Sequence, residues 1–174
     1  MEFALLGWPD AGPTLDLDHR EFAYAGKFVM SSTGKAVARD GDAVVAAVAF
    51  SADRTDDTVA WLRYVTVRAD RRGEGLGPRL LAFATAALHE RHAEVRIAVN
   101  NPFAYEAASK VGFGWTGEET GLAELVMAHP SDRGRYADGL DVYRERDLTD
   151  AEAAFLAARD EPPALVPVPR SAEY

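Results

Sequence analysis

Arg72-Gly73-Glu74-Gly75-Leu76-Gly77 follows an apolar, strand-like run and opens a helix-like one. Glycines let the backbone turn tightly and let an anion approach the chain closely. The helix that follows leaves its first N–H groups without partners inside the helix, and its dipole favours negative charge at that end. Residues 72–77, here called the glycine loop, therefore predict a main-chain site for a phosphate-bearing ligand.

The spacing of its residues separates the glycine loop from two common phosphate-binding motifs. A P-loop needs Gly, four residues and then Gly-Lys-Ser/Thr, and the Lys-Ser/Thr pair is missing here. A dinucleotide fingerprint has the form Gly-x-Gly-x-x-Gly in an early βαβ unit, whereas these glycines follow Gly-x-Gly-x-Gly in mid-chain. A strand-to-helix turn without any ligand is the simpler alternative.

The segments around the glycine loop predict alternating strands and helices. Residues 59–67 are β-branched and aromatic, which suits a largely buried strand. After the loop, Pro78 suits a first helical turn, and an apolar stripe follows at helical spacing. The stripe consists of Leu80, Leu81, Ala84, Ala87 and Leu88. Residues 94–99 then alternate between polar and apolar side chains, as a strand does.

A second, shorter helix is expected to follow Asn101. Asn101-Pro102 has the form of an N-cap followed by a first helical residue, and Gly112 can end the helix. Residues 113–116 and 123–127 look like two further strands. The predicted order is therefore strand, glycine loop, helix, strand, short helix, strand.

These motifs resemble those of the GNAT N-acetyltransferase superfamily. Arg72-x-x-Gly75-x-Gly77 is similar to its acyl-CoA signature, Gln/Arg-x-x-Gly-x-Gly/Ala. Asn101-x-x-Ala104 and Lys110-x-Gly112-Phe113 are similar to its second signature, Asn-x-x-Ala followed by Tyr-x-Lys-x-Gly-Phe. The resemblance spans about residues 35–127. It implies the α/β (α+β) fold of that family, a mixed, mostly antiparallel central sheet flanked by helices and splayed at the cofactor site.

The resemblance also implies acetyl-CoA as the cosubstrate. In this family the pantetheine arm pairs with the splayed end of a strand, here Val65-Thr66-Val67, and the loop amides hold the pyrophosphate. Asn101 would lie near the pantetheine, act as a plain N-cap, or do both. Arg72, in preference to Arg71, could add charge toward the phosphates because an Arg fork matches phosphate geometry. The implied cofactor-binding residues are Val65, Thr66, Val67, Arg72, Gly73, Glu74, Gly75, Leu76, Gly77 and Asn101.

One position departs from the family pattern. Two residues before Lys110, where the family commonly has a tyrosine thought to protonate the leaving thiolate, this chain has Ala108. Tyr105 lies on the same helical face and is the candidate catalytic acid, although helical side chains lean toward the N-terminus and away from Ala108. Tyr105 could instead line the cofactor channel or pack in the core. The loss of this acid need not abolish the reaction, because a thiol with a pKa of about 8.5 gives a thiolate that is already a fair leaving group.

The implied reaction is the attack of an amine on the thioester carbonyl, with backbone N–H groups stabilising the oxyanion. The sequence names no general base. Four ionisable residues are candidates for that role, although each is more typical of a surface group, namely His19, Glu21, Glu118 and Glu119. His89 and His92 miss the His-Glu-x-x-His zinc spacing by one residue, so no metal site is expected.

Three functions are compatible with these features. The favoured one is an N-acetyltransferase that moves an acetyl group from acetyl-CoA to an amine by direct attack on the thioester. The second is a catalytically weak acyl-CoA-binding or sensing module, motivated by Ala108. The third is a non-catalytic interaction protein that uses the C-terminal extension and has no affinity for CoA. The acceptor amine, a small molecule or a peptide, cannot be named from the sequence.

Composition limits the class of protein. The chain of 174 residues is nearly half apolar and has no cysteine, which suits a globular protein without disulfides. Its net charge of −9 argues against nucleic-acid binding. That charge either attracts cationic amines at long range or simply aids solubility. No apolar run could span a membrane, and the first residues lack a basic n-region. We therefore expect a cytoplasmic protein without a membrane partner, and a homodimer is left open.

The expected domain covers residues 1–130, followed by a C-terminal extension, residues 131–174, that is helical at first and then extended or disordered. In the extension, Thr149-Asp150-Ala151-Glu152 has the form of a capping box. Asp40-Gly41-Asp42 predicts the turn of a hairpin. Near the N-terminus, four large side chains either pack in the core or contact the acceptor, namely Phe22, Tyr24, Phe28 and Met30.

Overall fold

The computed structural model describes residues 1–171. These residues divide into two compact units, the first formed by residues 1–95 and 167–171, and the second by residues 96–166. The predicted fold class is confirmed, because seven mostly antiparallel strands combine with helices. The predicted domain boundary at residue 130 stays a prediction.

Four antiparallel strands dominate the first unit. They are β1 (Glu2–Gly7), β2 (Gly34–Asp40), β3 (Ala43–Ala52) and β4 (Val59–Val67), in that order across the sheet. The strand β5 (Glu94–Val99) begins in this unit. The predicted hairpin is confirmed, since β2 and β3 pair on either side of Gly41, whose φ of +60° suits a glycine in a tight turn.

The two faces of these strands are covered by different segments. Helix α2 (Leu76–Leu88) packs on one face, where the ring of Phe83 lies 6.0 Å from that of Phe3 in β1. The other face is covered by residues 15–28, which include the short helix α1 (Ala25–Phe28). Because side chains alternate along a strand, β3 contributes apolar residues to both layers. The core cluster on the α1 face contains Leu17, Phe22, Ala25, Phe28, Val37, Ala47 and Ala49.

A β-bulge interrupts β4 shortly before its end. Ala49 of β3 pairs with Tyr64, whereas the next residue, Phe50, pairs with Leu62, so Arg63 is an extra residue in β4. A bulge bends a strand and changes the direction of its side chains. The bulge therefore sets where Arg63 and Tyr64 lie, directly before the strand end at residues 65–67.

The second unit combines the end of β5 with three helices and a strand pair. The helices are α3 (Pro102–Val111), α4 (Tyr136–Arg144) and α5 (Asp150–Ala157), and β6 (Gly114–Glu119) pairs antiparallel with β7 (Leu125–His129). Both predicted caps are confirmed. The Asn101 side chain accepts a hydrogen bond from the Ala104 amide, and Thr149 and Glu152 form a capping box at the start of α5.

Three buried tyrosines form the core between α3 and α4. The ring of Tyr105 lies 5.7 Å from the rings of both Tyr136 and Tyr143. The Tyr105 hydroxyl donates to the carbonyl of Tyr136 and the Tyr143 hydroxyl to that of Val99, each at 3.0 Å, while Tyr136 donates to the Glu106 carboxylate. The first part of the C-terminal extension is therefore packed against α3 through aromatic rings and satisfied hydroxyls.

Beyond α5, residues 158–170 contain no helix or strand. Hydrogen bonds nevertheless fix this segment, among them one from the Val166 amide to the Lys110 carbonyl at 2.9 Å and one from Arg133 to the Pro163 carbonyl at 2.6 Å. The extended or disordered end predicted from the sequence falls partly on residues 172–174, which lie outside the described residues. Over residues 1–171, none of the helices has the length and apolarity needed to cross a membrane.

Candidate active site

The glycine loop has the backbone geometry that its sequence predicts. β4 ends at Val67, and Arg72 is extended with a φ of −68° and a ψ of 149°. Gly73 and Gly75 then adopt left-handed φ angles of +82° and +78°, a region that side chains other than glycine rarely occupy without strain. Gly75 is the N-cap residue of α2, so the chain turns directly from the strand into the helix.

The main-chain N–H groups of the glycine loop have no hydrogen-bond partners within the described part of the chain. The first amide to pair at the start of α2 is that of Arg79, which donates to the Gly75 carbonyl at 3.4 Å. Space over the loop is open, since a Cβ atom on Gly73 or Gly75 would meet no atom within 4 Å. Partner-free donors at a helix N-terminus suit an anion such as the pyrophosphate of CoA.

The two arginines at the start of the loop differ in their pairing. Arg71 makes ion pairs of 2.8 Å with both Asp40 and Glu74, and the hydrogen bonds to Glu74 and Asp40 raise its pKa. Arg72 donates only to the carbonyl of Val67, at 3.3 Å, and its side chain is exposed. The charge of Arg71 is therefore balanced by two carboxylates, whereas the guanidinium of Arg72 is available to a phosphate.

Residues 65–67 form the last part of β4 before the loop. Val65, Thr66 and Val67 pair with Val48, Ala47 and Ala46 of β3 respectively. Thr66 is only 4% exposed, and its hydroxyl has no hydrogen-bond partner among residues 1–171. A buried hydroxyl without a partner is uncommon in folded proteins, and a bound ligand is one way to satisfy it.

In the second unit, the structure shows Asn101 as a helix cap. Its side-chain oxygen accepts from the Ala104 amide at 2.8 Å, and its amide nitrogen donates to the Asn100 side chain at 3.1 Å. The capping role that the sequence allowed is thus confirmed. The further role beside a pantetheine arm stays a prediction.

Tyr105 is a core residue of the second unit. It is 0% exposed, and burial raises the pKa of its phenol above the usual range. Its hydroxyl proton is donated to the Tyr136 carbonyl. α4 comes so close that a Cβ atom on Gly139 would collide with the Tyr105 hydroxyl. Core packing, one of the alternatives left open by the sequence, describes this environment, and the role as catalytic acid stays a prediction.

The first unit also contains a cleft of about 760 Å³ on the α1 side of its strands. Its aromatic residues, Trp61 and Tyr64, come from either side of the bulge in β4. The remaining lining residues come from α1 and the chain after it, from the end of β3, from the β3–β4 connection and from the bulge, namely Lys27, Met30, Ser32, Thr33, Ser51, Ala52, Asp53, Arg54, Thr55 and Arg63. This acceptor cleft, as we call it, has the size of a small-molecule site.

The four large N-terminal side chains are divided between the core and the surface. Phe22 and Phe28 are buried in the core cluster on the α1 face. Tyr24 and Met30 are exposed and line a neighbouring cleft of about 580 Å³, and Met30 also lines the acceptor cleft. Phe22 and Phe28 therefore pack in the core, whereas the positions of Tyr24 and Met30 are compatible with contact to an acceptor.

Lys35 supports one wall of the acceptor cleft. Its side chain is completely buried, and burial lowers its pKa. Its ammonium group donates to the Met30 carbonyl at 2.7 Å, and to the Thr33 carbonyl and hydroxyl at 3.0 Å. Because Met30 and Thr33 line the cleft, these bonds fix its wall to β2. No signal in the sequence points to this residue, since a single lysine in a strand is usually solvated.

The four ionisable candidates for a general base are surface residues. Glu21 is exposed, and its carbonyl accepts from the Ala69 amide at 2.9 Å, while His19 lines the smaller cleft. In the second unit, Glu118 and Glu119 are exposed at the end of β6. Within residues 1–171, no group of three or more His, Cys, Asp or Glu side chains is arranged to hold a metal ion.

Comparison with solved structures shows which proteins share this fold. An acetyltransferase from Bacillus subtilis, solved in complex with CoA, is similar with a TM-score of 0.57 at 13% identity, over 73% of this chain and 96% of that one. An acetyltransferase from Thermus thermophilus is similar with a TM-score of 0.56 at 18% identity, over 75% and 98%. Identities at this level show a shared fold.

A third structure is matched over little more than half of its own length. The PaiA N-acetyltransferase from Thermoplasma acidophilum, solved in complex with coenzyme A, has a TM-score of 0.46 at 18% identity, over 54% of this chain and 58% of that one.

No curated protein matches the sequence. The sequence model of the acetyltransferase (GNAT) family, by contrast, matches residues 2–113, which include β1 to β5, the glycine loop, α2 and α3. The resemblance carried by the two signatures is therefore confirmed, and this chain belongs to the acetyltransferase (GNAT) family.

Proposed function

We propose that this protein transfers an acetyl group from acetyl-CoA to an amine by direct attack on the thioester. The amine nitrogen forms a bond to the carbonyl carbon, and the carbon–sulfur bond breaks with its electron pair going to sulfur. The nitrogen loses a proton, which is transferred through solvent or a side chain to the leaving thiolate. The products are an N-acetylated amine and CoA.

The observation that carries this proposal is the row of partner-free N–H groups at residues 72–77. They lie at the N-terminus of α2, over two glycines with open space above them. A diphosphate placed there would be held by main-chain donors and by the guanidinium of Arg72. The CoA complex of the related Bacillus subtilis fold supports the same ligand for this chain.

The end of β4 would receive the rest of the coenzyme. We assign the main chain of residues 65–67 to the pantetheine arm, and the partner-free hydroxyl of Thr66 is a candidate for an additional hydrogen bond. Backbone N–H groups in this strand could also stabilise the oxyanion that forms at the thioester carbonyl. Asn101 remains a separate assignment, because its side chain already caps α3.

A catalytically weak acyl-CoA-binding or sensing module is the second candidate. It is favoured by Ala108 and by the Tyr105 hydroxyl, which is buried and donates its proton to a carbonyl. The loss of a positioned acid lowers a rate by about 10²–10⁴-fold. Ala108 is itself fully buried, so the variant Ala108→Tyr would overpack the core and is a poor test of this candidate.

Two measurements on the full chain test the proposal and separate it from the alternative. Calorimetry with CoA should show binding, and release of CoA from acetyl-CoA should depend on an added amine. Binding without turnover over a broad panel of amines would favour the binding module. The absence of any heat on titration with CoA would overturn both and leave the interaction protein as the remaining candidate.

A further inference from the structure

The acceptor cleft has the opposite charge from the protein as a whole. Lys27, Arg54 and Arg63 line it, and none of them forms an ion pair with a carboxylate anywhere in residues 1–171. Lys27 and Arg54 are exposed. Arg63 makes one side-chain hydrogen bond, in which its Nε–H group donates to the Ser51 hydroxyl at 2.9 Å. In a chain with a net charge of −9, this is a local excess of cations.

Among the described residues, Asp53 supplies the one carboxylate that lines the cleft, and it is already occupied. It accepts at one oxygen from the Trp61 indole N–H at 2.7 Å. Its other oxygen accepts from the Thr55 amide and hydroxyl and from the Asp56 amide, at 3.0 to 3.2 Å. These hydrogen bonds, led by that from Trp61, lower its pKa to about 2. Asp53 therefore shapes the β3–β4 connection and has little capacity left for a substrate ammonium group.

The aromatic residues of the cleft are also occupied by its own cations. The Lys27 ammonium lies 5.5 Å from the centre of the Tyr64 ring, and the Arg63 guanidinium lies 5.2 Å from Trp61. Both distances are within the range of cation–π contacts. Among the described lining residues, the carboxylate and both aromatic rings that could bind a cationic acceptor already have partners within the cleft, and three positive charges would repel such an acceptor.

We propose that the acceptor cleft recognises an anionic group, so that the acceptor is a small amine that also carries a carboxylate or a phosphate. This inference rests on the proposed acetyl transfer and specifies its substrate class. Guanidinium groups bind both kinds of anion through charge-assisted hydrogen bonds. The volume of the cleft fits a small molecule, and Arg63 lies two residues before the strand segment assigned to the pantetheine arm.

The test uses the full chain loaded with CoA and two pairs of amines that differ only in the acid group. The first pair is 4-aminobutyrate and butylamine, and the second is phosphoethanolamine and ethanolamine. Calorimetry should show that the acid-bearing member binds roughly tenfold more tightly, the usual scale of one charge-assisted contact. The pair with the larger preference tells whether the site selects a carboxylate or a phosphate. Equal binding within both pairs would overturn the inference.

Two variants and a matched control connect the preference to the cleft. Arg54→Gln should weaken binding of the acid-bearing amine by roughly tenfold and leave butylamine within about twofold. Arg54→Glu, which replaces one of the three cations by a carboxylate, should reduce the preference at least as much as Arg54→Gln does. Arg91→Gln removes the same charge from a residue stacked on Trp8, outside the cleft, and should change neither. A preference that is unchanged in Arg54→Glu would contradict the proposed site.

The outcomes also distinguish this inference from the function on which it rests. If CoA does not bind to the protein, both fail together. If CoA binds, and acetyl-CoA is consumed with neutral or cationic amines as readily as with acid-bearing ones, acetyl transfer stands and the anionic substrate class is wrong. If acid-bearing amines are bound and acetylated in preference, both are supported.

Discussion

Gly75 in the glycine loop and Gly41 in the β2–β3 turn have nearly the same backbone conformation, with φ angles of +78° and +60°. Neither has any atom within 4 Å of the position of a Cβ atom. They differ in their surroundings, because Gly75 belongs to the row of partner-free amides at the start of α2, whereas Gly41 joins two paired strands. The same substitution at both positions therefore distinguishes an effect of backbone strain from an effect on ligand binding.

Alanine at either glycine should lower the free energy of unfolding by about 1–2 kcal/mol, because a Cβ atom is strained in the left-handed region. Only Gly75→Ala should also weaken CoA binding, by about tenfold or more, since its methyl group would occupy the space over the loop amides. Urea denaturation and calorimetry with CoA measure the two effects. Equal CoA affinity in Gly75→Ala and Gly41→Ala would contradict the assignment of the pyrophosphate to this loop.

Arg72 should contribute to coenzyme affinity through its charge. Arg72→Gln removes a guanidinium that has no carboxylate partner in the described residues, and we expect CoA to bind about tenfold more weakly. The dependence of CoA binding on salt should become shallower as well, because one charge has been lost. Arg91→Gln, just beyond the C-terminal end of α2, is the matched control. If both variants bind CoA equally, Arg72 does not contact the phosphates.

The features of the fold and of the site that the sequence predicts are built from neighbours in the chain. The left-handed glycines, the cap at Asn101 and the capping box at Thr149 each depend on residues within a few positions of one another. Local geometry determines such features, so their spacing is readable in the sequence.

The acceptor cleft depends on contacts that spacing does not encode. The Trp61 indole reaches Asp53 across the β3–β4 connection, and Arg63 belongs to a bulge that only the pairing with β3 reveals. Tyr105 likewise acquires its environment from Tyr136 and Tyr143, which belong to a later helix. A helical pattern fixes the face of α3 on which Tyr105 lies, but it does not fix which segment covers that face.

The burial of Tyr105 predicts a structural effect when its hydroxyl is removed. Tyr105→Phe should lower the free energy of unfolding by about 1 kcal/mol, the usual net contribution of a buried hydrogen bond. Tyr143→Phe loses an equivalent bond to the Val99 carbonyl and is the matched control. We expect similar turnover from the two variants. A fall of about 10²–10⁴-fold in kcat for Tyr105→Phe alone, with loss of the alkaline limb of its pH profile, would instead identify Tyr105 as the acid.

The same tyrosines should make the protein sensitive to alkali. Burial raises the pKa of Tyr105, Tyr136 and Tyr143 in the folded state, so above a pH of about 10 the unfolded chain loses phenol protons that the folded chain retains. The unfolded state then binds fewer protons, and the free energy of unfolding falls as pH rises, by about 1.4 kcal/mol per pH unit for each such tyrosine. Below a pH of about 10 their contribution is fully present.

Urea denaturation of the wild type and of Tyr143→Phe between a pH of about 8 and a pH of about 11 measures this effect. Subtracting one curve from the other cancels the lysines, including buried Lys35, whose lowered pKa acts with the opposite sign. Below a pH of about 10, the free energies of unfolding of the two proteins should differ by a constant amount. Above it, the free energy of unfolding of the variant should fall less steeply with pH, because the variant has one fewer tyrosine that loses its proton only in the unfolded chain. Parallel curves over the whole range would mean that the Tyr143 phenol ionises as readily in the folded protein as in the unfolded chain, which its hydrogen bond to Val99 and its burial in the second unit argue against.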